Sequence, residues 1–103
     1  MKREELLKKI KETVLGVEPD ATIILYGSYA RGEENKYSDI DLLILVDKDI
    51  SYLDEKKIRY PLFDLGFDVG MVISPGVYSQ QKWETKYRVT PFYEHVTKEG
   101  VVL

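Results

Sequence analysis

The chain has 103 residues, of which 44% are hydrophobic, so it can form one globular core and is not an intrinsically disordered polypeptide. Its formal net charge of −3 argues against direct nucleic-acid binding through a broad basic face. It has no cysteine, which excludes disulfides and thiolate metal sites, and no stretch approaches the ~18 apolar residues of a membrane span. We therefore expect one domain over residues 1–103, located in the cytoplasm.

The first half of the chain predicts helices and strands in alternation. Apolar residues at helical spacing predict a helix over residues 2–15. A continuous apolar, β-branched run predicts a strand over residues 21–26 that is buried on both faces. A short helix over residues 29–32 and a polar loop should follow, and then a second apolar strand over residues 40–46.

The second half of the chain has weaker patterns. Ser51 is typical of a helix cap, and Pro61 should end or kink the helix that follows. Alternating apolar residues predict a third strand over residues 67–73. Helical segments are expected over residues 79–87 and 91–100. Helices that alternate with apolar strands indicate an α/β layer structure.

A Gly-Ser turn and two acidic residues lie at the ends of the first two predicted strands. Asp39 and Asp41 share one face of the second strand, because side chains alternate, with Cα atoms roughly 6.5–7 Å apart. Carboxylates at that spacing can bridge divalent metal ions about 3.5–4 Å from each other. Gly27 and Ser28 supply an anion-binding turn that complements these carboxylates. Glycine lets backbone N–H groups approach a phosphate, and a helix N-terminus favours anions. This combination predicts phosphoryl or nucleotidyl transfer, whose catalysis is mostly positioning and charge neutralisation.

Gly-Ser, ten intervening residues and Asp-x-Asp resemble the signature of the nucleotidyltransferase superfamily that includes DNA polymerase beta. The string Gly-Ser-Tyr-Ala-Arg-Gly, followed by Ser-Asp-Ile-Asp-Leu, is similar to its minimal nucleotidyltransferase (MNT) branch. The ending from Val89 to Val101 resembles the tail of many small MNT domains. The resemblance implies an α/β (α+β) nucleotidyltransferase fold, with a mixed sheet flanked by helices. It also implies that two strand aspartates and a third carboxylate on a neighbouring strand bind two Mg²⁺ ions, while the Gly-Ser turn holds the nucleoside triphosphate.

Asp68 is the expected third carboxylate. It falls in the predicted third strand, where an unpaired charge among apolar residues needs a partner or a metal. Asp64 is the alternative, but it lies at a loop or helix edge where a solvated aspartate needs no explanation. The predicted catalytic and metal-binding set is therefore Asp39, Asp41 and Asp68.

Two roles are possible for each of the remaining polar residues near these motifs. The Ser28 hydroxyl could donate to a phosphate oxygen or cap the following helix, and these roles are compatible. Arg31 could bind a phosphate with two hydrogen bonds or pair with the acidic loop at residues 33–34. The main basic cluster outside the first helix is either a solvated surface or a further triphosphate contact: Lys82, Lys86 and Arg88.

The resemblance implies a Mg²⁺-dependent transfer of AMP from ATP to an acceptor hydroxyl. MNT proteins are often paired with a HEPN protein, a helical RNase-type toxin, and some antitoxins of this family modify a tyrosine on it. We therefore expect a HEPN-type toxin as partner, contacting aromatic and basic residues between Trp83 and Tyr93. One alternative is a small-molecule enzyme of the aminoglycoside type, for whose acceptor this chain offers little room. The other is a non-catalytic domain that binds a nucleotide or a partner.

Overall fold

The computed structural model describes residues 1–103 and confirms the expected α/β fold. Its helices and strands alternate along most of the chain. In order they are α1 (Arg3–Leu15), β1 (Thr22–Tyr26), α2 (Ser28–Arg31), β2 (Ile40–Val46), α3 (Tyr52–Val69), β3 (Ile73–Ser79), α4 (Gln80–Glu84), α5 (Pro91–Glu99) and β4 (Val101–Val102). None of the helices combines the length and the apolar character that crossing a bilayer requires.

The four strands form one mixed sheet in the order β3-β2-β1-β4. β1 is antiparallel to both β2 and β4, whereas β2 and β3 are parallel. In this register Asp41 on β2 lies between Tyr26 on β1 and Ser74 on β3. The mixed sheet expected from the family resemblance is therefore confirmed.

Helices cover both faces of the sheet. One face packs against α1 and α3 in a cluster of 14 buried residues, among them Ile10, Leu25 and Leu62. The other face packs against α4 and α5 in a smaller cluster that includes Leu43 and Trp83. β2 is an inner strand with neighbours on both faces, and so its residues from 42 to 46 are all buried.

The predicted third strand over residues 67–73 is wrong. α3 continues through Pro61 to Val69 and ends where Gly70 adopts a positive φ of 73°. The helix is long because Ile58, Leu62 and Gly66 lie on one helical face against the sheet. The alternating pattern from residue 67 to 73 was a coincidence of composition, and the real strand, β3, begins where that pattern ends.

The aromatic residues between Trp83 and Tyr93 pack together, with Trp83 buried in the core and the others half-buried against it. Trp83 is only 3% exposed. Its ring lies 5.5 Å from that of Phe92 and 4.9 Å from that of Tyr93, measured between centroids. Tyr87, Phe92 and Tyr93 are half-buried, and Lys82, Lys86 and Arg88 are exposed, so contact of this segment with a partner stays a prediction.

Candidate active site

The turn after β1 is built around Gly27. This residue has φ 76° and ψ −158°, a conformation that side-chain-bearing residues rarely adopt. A Cβ atom at this position would overlap Oδ2 of Asp41. Glycine is therefore required both for the backbone conformation and for the close approach of the turn to the acidic strand.

Asp39 and Asp41 lie at the entry of β2, on the same face of the sheet as Tyr26. Asp39 is exposed and Asp41 is half-buried. Burial raises the pKa of Asp41 above its ordinary value, and the charges of Asp39 and Glu99 raise it further, with Arg31 opposing them. The structure thus brings the two predicted acids together with the Gly27 turn, in a place where their negative charges are not fully compensated.

Asp41→Asn is expected to stabilise the fold at neutral pH. Because the folded-state pKa lies above the ordinary value of 3.8, ionised Asp41 opposes folding, and stability falls as pH rises through the interval between the two values. Asparagine removes this penalty at pH 7 but brings no gain well below 3.8. Water reaches the half-exposed carboxyl, which limits the gain to about 1 kcal/mol.

Urea unfolding of the parent and the Asp41→Asn variant at pH 7 and at low pH measures this difference. Asp47→Asn is the matched control, since Asp47 is exposed and directly follows the far end of β2. A free energy of unfolding at pH 7 that is unchanged or lower in Asp41→Asn would contradict the electrostatic description of the site.

Glu99, the last residue of α5, is a site residue that the sequence did not indicate. Its Oε1 accepts a hydrogen bond from the Gly27 amide at 3.0 Å, and its Oε2 accepts one from Arg31 Nη1 at 2.8 Å. His95 Nε2 lies 2.8 Å from Oε1. The hydrogen bond from Arg31 is the main reason that the pKa of Glu99 is lowered, with the Gly27 amide and His95 adding to it.

Asp68 does not lie on a strand beside the acidic pair. It is exposed in the last turn of α3, and Asp64 is exposed one turn earlier on the same helix. β3, which does neighbour β2, carries no acidic residue, and Ser74 stands opposite Asp41. No group of three Asp, Glu, His or Cys side chains is placed to hold a metal ion, so the expected three-carboxylate site is not formed.

Arg31 and Ser28 are both at the turn. Arg31 Nε lies 3.4 Å from Glu33, so one half of the predicted acidic loop does pair with it, while Glu34 instead binds Arg3. Ser28 is the first residue of α2, and the cap position belongs to Gly27. The phosphate contacts expected of both residues stay predictions.

The acidic pair fits a divalent cation with an incomplete set of protein ligands. Neither Asp39 nor Asp41 takes part in a salt bridge, and ionisation of Asp41 is disfavoured by its neighbours. A bound cation would remove that penalty, since magnesium is commonly held by one or two carboxylates together with substrate phosphates and water. The residues present therefore suit a metal that arrives with a phosphorylated substrate.

A carboxylate pair facing a glycine turn at the end of a mixed sheet defines a domain of the nucleotide-transfer class. Residues 3–92 match the nucleotidyltransferase domain family. The chain therefore belongs to the nucleotidyltransferase domain family, which confirms the class that the Gly-Ser turn and the two aspartates predicted.

Two relatives from Methanocaldococcus jannaschii carry the name "putative protein adenylyltransferase". One is 34% identical over 102 residues, covering 94% of each chain. The other is 38% identical over 81 residues, covering 79% of this chain and 75% of that protein. A bifunctional uridylyltransferase/uridylyl-removing enzyme of Pseudomonas aeruginosa is 38% identical over 65 residues, but the match covers 56% of this chain and only 7% of that much longer protein.

Solved structures share the fold. A minimal nucleotidyltransferase superposes with a TM-score of 0.68 at 24% identity, covering all of this chain and 97% of that one. A toxin–antitoxin complex with AMP-PNP gives a TM-score of 0.65 at 16% identity, covering 98% of this chain and 72% of that chain. The complex of a tri-AMPylated Shewanella oneidensis HEPN toxin with its MNT antitoxin gives 0.61 at 15%, with coverages of 98% and 71%.

Proposed function

We propose that this domain transfers AMP from ATP to a hydroxyl group on a partner protein. The observation that carries the proposal is the convergence of the Gly27 amide, Arg31, Asp39 and Asp41 at one end of the sheet. The relatives named as protein adenylyltransferases support AMP as the transferred group and a protein as the acceptor.

The turn binds the triphosphate. Gly27 presents its amide without a side chain in the way, and Arg31 offers a planar guanidinium that suits phosphate oxygens. Ser28, adjacent in the turn, adds a hydroxyl donor. These groups hold the pyrophosphate end of ATP, so that the α-phosphorus lies toward the acidic pair.

Asp39 and Asp41 would hold Mg²⁺, which when bound would neutralise charge on the phosphates and on the departing pyrophosphate. The acceptor hydroxyl oxygen forms a bond to the α-phosphorus while the bond to the β-phosphate oxygen breaks. Pyrophosphate leaves, and the hydroxyl proton passes to solvent or to a base of the acceptor protein, because β3 offers no carboxylate to take it. The two aspartates position the reactants and do not need to act as the base.

The absence of an acid on β3 favours one rival, a domain that binds the nucleotide without turnover. Ser74, opposite Asp41, is a poor general base at neutral pH and adds no negative charge to a metal site. Nucleotide binding without transfer to any acceptor would select this rival. Transfer to small molecules only would select the aminoglycoside-type alternative.

A transfer assay tests the proposed activity. The purified chain is incubated with MgCl₂, lysate of the host cell and each of the four α-labelled nucleoside triphosphates in turn. We expect label from ATP to appear on a protein, and to disappear when EDTA is added. Label that stays in free nucleotide under every condition would contradict the proposal.

We propose that the acceptor protein is a helical toxin of the HEPN type and that it docks on α3. The structurally similar complex of an MNT antitoxin with a HEPN toxin supports a HEPN protein as the partner. Exposed aromatic residues repeat along α3 at helical spacing and form what we call the α3 stripe: Tyr52, Tyr60, Phe63 and Phe67. These side chains are 71%, 55%, 45% and 88% exposed, and a run of exposed aromatic residues on one helix is typical of an interaction surface.

The chemistry of the α3 stripe fits a helix packed along it. Together with Lys56, its residues follow one another every three or four positions, which is the spacing at which ridges of one helix enter grooves of another. Lys56 lies over the stripe, with Nζ 4.4 Å from the Tyr52 ring centroid and 5.9 Å from that of Tyr60. An aromatic ridge with an embedded cation suits an amphipathic partner helix that carries an acidic residue within its apolar face.

Phe67→Ser should weaken binding of the HEPN-type partner by at least about tenfold, because an exposed aromatic anchor of an interface is worth about 2 kcal/mol or more. The stability of the free chain should change by less than about 0.5 kcal/mol, since Phe67 is 88% exposed. Val89→Ser is the matched control, because Val89 is equally exposed but lies outside α3. Titration calorimetry with the purified toxin measures the affinities of the two variants, and urea unfolding measures their stabilities. Equal affinities for the two variants would place the interface elsewhere.

A further inference from the structure

Glu99 accepts hydrogen bonds from the same two donors that the proposed function assigns to the triphosphate. One carboxylate oxygen accepts a hydrogen bond from the Gly27 amide, and the other accepts one from the guanidinium of Arg31. The Glu99 side chain is 14% exposed and the Arg31 side chain 40% exposed, so the carboxylate is largely covered while the guanidinium stays open to solvent on one side. A carboxylate with its two oxygens on an amide and an arginine has the same recognition chemistry as a phosphate group.

The approach of Glu99 to the turn is fixed by the fold. β1 and β4 pair with Ile24 opposite Val102 and Leu25 opposite Val101, which brings the preceding residues of the C-terminal segment to Gly27. Gly100 permits this, because a Cβ there would lie 2.6 Å from Cγ2 of Ile24 and 2.5 Å from the carbonyl oxygen of Val96. Close packing between β1, α5 and β4 thus positions the Glu99 carboxylate at the turn.

We propose that Glu99 is an internal competitor that occupies the anion-binding turn until a nucleoside triphosphate displaces it. This inference rests on the proposed function, since it names a regulation of that same site. Two anions cannot share the single Gly27 amide and the Nη1 of Arg31, so the triphosphate must break both Glu99 contacts. The apparent affinity for nucleotide is then reduced by the fraction of molecules in which the turn is open.

The competition couples the turn to the C-terminal segment. Glu99 is the last residue of α5, so its departure from Gly27 and Arg31 frees both phosphate-binding groups. Nucleotide binding and the release of the end of α5 are therefore coupled in this arrangement.

Glu99→Gln tests the competition, because glutamine keeps the shape of the side chain and loses its charge. The probe is Mg²⁺ with an ATP analogue whose α- and β-phosphates are joined by a methylene bridge, which cannot be turned over. Titration calorimetry should show binding that is roughly tenfold tighter than in the parent, as expected if the turn is open in about a tenth of the molecules. Glu94→Gln, an exposed residue in the first turn of the same helix, should bind like the parent.

Each result separates this inference from the proposed function. Tighter binding by Glu99→Gln supports the competition. Equal or weaker binding overturns it, and weaker binding would instead assign Glu99 to the nucleotide or metal site. If neither the parent nor the variant binds the analogue, the proposed function itself fails and this inference with it.

A measurement on the unmodified chain makes the test independent of any variant. In the free protein the Glu99 side-chain carboxyl, followed by carbon NMR, should titrate below the ordinary glutamate value, because Arg31 and the Gly27 amide hold its ionised form. Saturation with the analogue should return its titration to that of a solvated glutamate. A titration that stays unchanged on saturation would show that the triphosphate does not displace Glu99.

Discussion

Gly27→Ala is expected to abolish nucleotide binding and to lower the free energy of unfolding by about 2–4 kcal/mol. Two effects add at this residue. Its φ of 76° with ψ of −158° is strained for alanine, and the new Cβ would overlap Oδ2 of Asp41. Either the turn or the acidic strand must move, and both moves separate the amide from the carboxylate pair.

Gly32→Ala is the control, because Gly32 also has a positive φ, 72°, but a Cβ there would meet nothing within 4 Å. Gly32 is in the left-handed helical region, a milder backbone strain for alanine than that of Gly27, and it lacks the overlap; we expect Gly32→Ala to lose about 1 kcal/mol and to keep nucleotide binding. Urea unfolding and calorimetric titration with Mg-ATP give both quantities. Equal behaviour of the two alanine variants would mean that the contact between the turn and Asp41 has no functional importance.

Asp39→Asn and Asp41→Asn should each reduce the rate of AMP transfer by about a hundredfold or more. Each substitution removes one of the two carboxylates that we propose to hold the cation. Such stabilisation of the reacting phosphates is worth several kcal/mol, and each 1.36 kcal/mol equals a tenfold change in rate. The stabilisation of the fold by Mg-ATP should disappear together with the activity. The fold itself should survive, because both residues lie at the open end of β2.

Asp68→Asn is the matched control for these substitutions. It removes the same charge from an exposed helical position, and we expect parent-like transfer and parent-like stabilisation by Mg-ATP. A loss of activity in Asp68→Asn comparable to that in Asp41→Asn would restore Asp68 to the site and contradict the structural assignment.

The first half of the fold and its acidic pair could be predicted because their determinants are local. The apolar runs of β1 and β2 are continuous, and the residues between them carry their own turn signals. Asp39 and Asp41 follow from the strand periodicity alone, since no distant residue is needed to place them on one face. The mixed sheet, by contrast, was implied only by the family resemblance and not by these local patterns.

The third strand could not be predicted because two periodicities overlap within α3. The residues from 67 to 73 alternate as a strand would, yet Ile58, Leu62 and Gly66 continue a buried helical face into the same segment. Pro61 would normally end a helix, but tertiary packing against the sheet outweighs its local cost here. The error displaced β3 and, with it, the assignment of Asp68.

Glu99 could not be predicted as a site residue, and the packing around Trp83 could not be predicted in detail, because both depend on distant parts of the chain. Glu99 contacts an amide 72 residues earlier, and nothing in its neighbourhood distinguishes it from the other acidic residues of the chain. Trp83 is buried by Tyr78, whose position depends on the correct placement of β3. Both cases require the tertiary structure.

The most direct test is the intact mass of the partner. The chain is co-expressed with the protein of the adjacent reading frame, the two are purified together, and the mass of each is measured for the parent and for Asp41→Asn. We predict a stable complex in which the partner carries one or more added AMP groups with the parent and none with Asp41→Asn. An unmodified partner in both preparations, with ATP-derived label transferred only to a small molecule, would contradict the assignment of this domain as a protein adenylyltransferase.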